Sequence, residues 1–110
     1  MPQVDLAHLT MPPRALAQLQ ELLARHVPGA EVWAYGSRVS GGAHAASDLD
    51  IVLRAPADSG ADVAGWQDLK DAVQHSSIPI LIDIHLWPHL PASFHRAIEQ
   101  GYVVLQQGRV

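Results

Sequence analysis

Asp48 and Asp50 stand one residue apart at the head of an apolar run, Leu49-Asp50-Ile51-Val52-Leu53, shortly after a Gly36-Ser37 pair. In an extended chain alternate side chains share a face, so both carboxylates point one way while Leu49, Ile51 and Leu53 point into a core. Two charges held ~4 Å apart at an effective dielectric of ~20 repel by about 4 kcal/mol, a cost that a bound cation removes. A third acid lies in Ile80-Leu81-Ile82-Asp83-Ile84-His85-Leu86, where the even-numbered residues form an apolar face and Leu81, Asp83 and His85 occupy the other. If this strand lies beside the one carrying Asp48 and Asp50, three carboxylates converge, a donor set suited to Mg²⁺ shared with substrate phosphates rather than to zinc. The glycine-serine pair ahead of the acids suggests a phosphate cradle beside a divalent-metal site.

These residues need a scaffold. Pro12-Pro13 opens a helix with Leu16, Leu19, Leu22, Leu23 and Val27 on one side, and Pro28-Gly29 closes it. A first strand spans Glu31 to Tyr35, Gly36-Ser37 is the turn leaving it, Arg38 to Gly42 forms a short turn or helical start, and a second strand runs from Asp48 to Arg54. Ala55 to Gly65 reads as a loop; Trp66, Leu69 and Val73 place a second helix before Ser76-Ser77. The third strand is Ile80 to Leu86, Pro88 to Pro91 a break, Phe94, Ala97 and Ile98 one side of a short helix ended by Gly101, and Tyr102 to Leu105 a closing strand. The expected fold is α+β, a small mixed sheet with helices packed against one face and the acids on the other face or rim.

With 110 residues, 1–110 is read as a single domain. A net charge of -4 with only seven Lys and Arg offers no basic stripe, so nucleic acid is not the expected ligand. The chain has no cysteine, which removes disulfides, thiolate metal sites and a cysteine nucleophile. The opening Met1-Pro2-Gln3-Val4-Asp5 lacks the pattern of a signal peptide, and the run from Ile78 to Trp87 contains Asp83 and is too short to span a bilayer, so a cytoplasmic protein without a membrane role is expected. The seven histidines lack metal-site spacing, and His85 reads as a surface histidine. Trp33, Trp66 and Trp87 are expected in the core or against a partner.

Gly36-Ser37, Ser47-Asp48-Leu49-Asp50 and Asp83, in this order and spacing, give the chain a resemblance to the minimal nucleotidyltransferases of the DNA polymerase beta superfamily, covering Val32 to Leu105. The resemblance implies the palm-like nucleotidyltransferase fold and transfer of a nucleoside monophosphate, with Asp48 and Asp50 holding two Mg²⁺ ions with the triphosphate of ATP or another NTP. It implies that Asp83 binds the metal nearest the attacking hydroxyl, and that Gly36, Ser37 and Arg38 form the nucleotide-binding set. Arg38 is alternatively a solvated side chain. Ser40 stands where many relatives carry a basic residue, which shifts phosphate binding toward the metal. Such proteins are typically paired with a small helical partner of the HEPN or substrate-binding type encoded nearby, in some pairs as an antitoxin that attaches AMP to the toxin. The expected acceptor is therefore a partner protein or a small molecule, with homo- or hetero-oligomers both open. The rival expectation is a non-catalytic antitoxin or nucleotide-sensing module that neutralises a HEPN partner by complex formation.

Overall fold

The computed structural model describes residues 9–40, 48–55 and 63–108, with Ser37 and Ser40 described by backbone alone. Gly41, Gly42 and Ser47 of the motif stretch lie outside the described residues. Helix α1 spans Pro13–His26, with Pro13 at its first turn, where a missing N–H costs nothing. Ala15, Leu19 and Leu23, spaced by four, are its buried stripe, and Pro28 forces the preceding Val27 out of helical conformation. Strand β1 is Glu31–Tyr35, α2 the single turn Ser37–Ser40, β2 Leu49–Arg54, α3 Trp66–Gln74 and β3 Ile82–Leu86. A 3-10 turn at Trp87–His89, helix α4 at Ala92–Glu99 and strand β4 at Val103–Gln106 complete the described elements.

The sheet order is β3-β2-β1-β4. β1 runs antiparallel to both β2 and β4, while β2 and β3 are parallel and joined by the α3 crossover. One face carries Val32, Ala34, Leu49, Ile51, Leu53, Val103 and Leu105 against Leu19 and Leu23 of α1, Val27 just after it, and Leu69 and Val73 of α3. α1 and α3 touch through Gly65, whose φ of +88° and whose contact with the His26 carbonyl leave no room for a β-carbon.

The two longer helices therefore lie on one face, as the pattern of leucines predicts. The short α4 instead adds Ile98 to the opposite face, where it joins Trp33 and Val52 with Trp87 and Tyr102. Those large aromatics give α4 an apolar surface to cover that the alternation of small aliphatics elsewhere does not announce. β3 begins at Ile82 rather than Ile80, although the Leu49 N–H already donates to the Leu81 carbonyl at 2.9 Å. β2 itself starts at Leu49, the register partner of Ile82, so the ladder begins there.

Candidate active site

The two acids that sequence separates by more than thirty residues are neighbours. Asp50 is the register partner of Asp83 across the parallel β2–β3 pair and of Tyr35 across the antiparallel β1–β2 pair. Tyr35, Asp50 and Asp83 thus form one row across three strands, on the face turned away from α1 and α3, because register partners share a face. Asp48 sits just ahead of β2, exposed, and its charge reaches the Asp50 carboxyl.

Gly36 ends β1 and closes over this row. Its φ is +88°, and a β-carbon there would stand 2.8 Å from Asp50 Oδ2. Only glycine combines the left-handed backbone with so close an approach to the carboxylate. The Val39 N–H then donates to the Gly36 carbonyl at 3.0 Å, turning the chain into α2.

The electrostatics carry the imprint of crowded negative charge. The Asp50 carboxyl is held above the ordinary carboxylate range, first by burial, then by Asp83, with a smaller push from Asp48; His85 acts in the opposite direction. The Tyr35 phenol is pushed up to about 12, again by burial first and then by Asp50 and Asp83, so it stays a neutral hydrogen-bond donor. His85 Nε2 lies 3.8 Å from Asp50 Oδ1, beyond hydrogen-bond length, with side chains 36% and 34% exposed. At that exposure the pair offsets little of the repulsion.

Among the described residues, no three acidic or imidazole side chains stand close enough to cage an ion unaided. The donors that are present are carboxylate oxygens short of positive charge, the chemistry that takes a hard divalent cation with remaining ligands from water and phosphate.

Arg38 is 3% exposed rather than solvated, and its guanidinium donates to the Thr10 carbonyl at 2.6 Å while the Thr10 N–H donates to the Arg38 carbonyl. That pair of bonds ties α2 to the segment entering α1. His85, read from sequence as a surface histidine, faces Asp50. Tyr35 was absent from the sequence reading of the site, although its place immediately before Gly36, two residues beyond Trp33 on the same face, was a usable signal.

A cavity of about 450 Å³ opens beside the row, lined by Tyr35, Gly36, Phe94, Ala97, Ile98 and Gln100 among others. Farther along the face, the Arg54 guanidinium carbon lies 4.5 Å from the ring centres of both Trp33 and Trp87. Trp33 also stacks on Tyr102 at 4.0 Å and Trp87 on His95 at 3.8 Å, so this column stiffens the sheet next to the acids.

Comparison with known proteins places these features in context. The profile of the family described as nucleotidyltransferase domain matches residues 16–105. The probable protein adenylyltransferase MntA of Haemophilus influenzae is 34% identical over 103 residues, covering 94% of this chain and 89% of that protein. A solved structure described as a toxin-antitoxin with AMP-PNP superposes with a TM-score of 0.64 at 22% identity, covering 86% of this chain and 73% of the other; it supports the fold.

Proposed function

The chain belongs to the nucleotidyltransferase domain family and is a nucleotidyltransferase, and from that premise we propose that it transfers AMP from ATP, with Mg²⁺, to a hydroxyl group on a partner protein. The observation that carries this reading is the register pairing of Asp50 with Asp83 beneath Gly36. It supports a site in which Asp48 and Asp50 meet the triphosphate and Asp83 meets the acceptor. Mg²⁺ bound there would neutralise the row and polarise the α-phosphate.

The chain's own groups set the course of the reaction. Gly36 lets the phosphates approach the backbone closely, and the neutral Tyr35 phenol is a donor beside them. The acceptor oxygen bonds to the α-phosphorus as the bridge to the β-phosphate breaks. Pyrophosphate leaves with the electron pair, and the hydroxyl proton passes to Asp83. The name of the Haemophilus relative supports a protein acceptor, and the toxin-antitoxin likeness supports a paired partner, which we take to be a small helical protein of the HEPN type acting as the toxin.

Incubation with labelled ATP, Mg²⁺ and the product of the adjacent gene is expected to label that product. Label that persists in the double variant Asp48→Asn, Asp50→Asn sinks the mechanism.

A further inference from the structure

In-line displacement dictates where the acceptor must come from. In the reaction proposed above the leaving pyrophosphate would lie toward Gly36 at the end of β1, so the attacking oxygen would approach the α-phosphorus from the opposite side, across β2 and over β3. β3 is an edge strand, and among the described residues no strand pairs with its outer side. Since the Leu49 N–H bonds to the Leu81 carbonyl, the odd-numbered backbone groups of this segment face β2 and those of Ile82, Ile84 and Leu86 face outward.

Two further observations mark the same edge. Leu81 is 73% exposed and stands two residues before Asp83, on the same face by alternation. A cavity of about 320 Å³ adjoins the strand, lined among others by Lys70 and Gln74 of α3 and by Ile82, Asp83, Ile84 and His85 of β3. An edge whose outward main-chain groups meet no strand among the described residues, with an exposed apolar side chain and an adjoining cavity, is the equipment for adding a strand.

We infer that the acceptor protein presents its hydroxyl on an extended segment that pairs with the outer edge of β3, with one of its side chains resting on Leu81. The inference rests on the transfer reaction proposed above. Main-chain pairing sets the segment's height along β3, which brings one hydroxyl residue level with Asp83 and excludes its neighbours two residues away. The specificity is thus one of register, with sequence read mainly at the position over Leu81.

The test uses the whole chain and nine-residue peptides with a central serine, threonine or tyrosine, selected from a library randomised at the other positions by retention on the immobilised protein. Hydrogen exchange of the Ile82, Ile84 and Leu86 amides, followed by NMR without ATP, is expected to slow at least fivefold when a selected peptide is added. N-methylation of alternate peptide amides is expected to abolish the effect in one register and spare it in the other. Leu81→Ser, at an exposed position, is expected to weaken peptide binding at least fivefold while leaving the Kd for Mg·ATP within twofold. Unchanged exchange at the three amides, tolerance of N-methylation in both registers, or a Leu81→Ser variant that binds as well as wild type overturns the docking mode. Protection of the amides with no AMP transfer, on adding Mg²⁺ and ATP, instead upholds the docking and refutes the proposed reaction.

Discussion

Replacing Asp50 by asparagine should abolish transfer and yet make the fold more stable. Asp50 and its register partner Asp83 lie on adjacent strands, ~4.8 Å apart at the backbone. Full burial at an effective dielectric of ~20 would set their repulsion at about 3 kcal/mol, and water itself would reduce it to about 1 kcal/mol. With the Asp50 side chain 34% exposed, the lower figure is the better guide. About 1 kcal/mol in a domain of this size shifts Tm by roughly 4 °C. The pH dependence follows from the raised carboxyl of Asp50: a group that holds its proton more tightly folded than unfolded destabilises the fold once ionised. The gain from Asp50→Asn should therefore be present at pH 7 and shrink as pH falls through the raised folded value toward the ordinary carboxylate range. Thermal melts of both proteins in EDTA, and again in Mg²⁺, provide the assay. Mg²⁺ should raise the wild-type Tm and leave the variant nearly unmoved. A variant less stable than wild type in EDTA at pH 7, or equal Mg²⁺ stabilisation of both, would refute the account of Asp50 as a charge awaiting a cation.

Other expectations follow from single contacts. Gly36→Ala should cost about 1–2 kcal/mol of stability through its left-handed backbone, and displacement of the Asp50 carboxylate should lower the transfer rate by about 10²-fold; wild-type kinetics would show that the close approach is unimportant. Arg38→Met should lower stability by about 1–3 kcal/mol by leaving the Thr10 carbonyl without its guanidinium donor, while calorimetry finds the Kd for Mg·ATP within about threefold of wild type. A much larger loss of affinity with an unchanged Tm would restore Arg38 to the phosphate site. Leu53→Ala, at a fully buried position of β2, should cost about 2–5 kcal/mol in denaturant titrations.

Much of the fold is legible because its signals are local. Pro12-Pro13 and Pro28-Gly29 bracket α1, and alternation in Glu31–Tyr35 and Leu49–Arg54 identifies the first two strands. The same alternation reveals that Asp50 faces away from Ile51, and that Asp83 parts company with Ile82 and Ile84. The Gly36 turn is announced by its residue type, since a left-handed position beside a carboxylate admits no side chain.

Other features have no local signature. That β3 lies parallel to β2 with Asp83 level with Asp50, rather than two residues away, depends on how the α3 crossover packs Leu69 and Val73 against the sheet. The bond from Arg38 to the Thr10 carbonyl reaches 28 positions back along the chain, and no pattern around Arg38 foretells it. His85 meets Asp50 only because a diagonal across two strands brings them to 3.8 Å. The amino-acid order by itself determined which residues are acidic, which turns are forced and which face of each strand is apolar, because those properties act over a few bonds. Only the tertiary structure decided which acids share a row, which arginine is buried and which strands stand at the edges of the sheet, because strand order and register are settled by side chains far apart in the chain competing for one core.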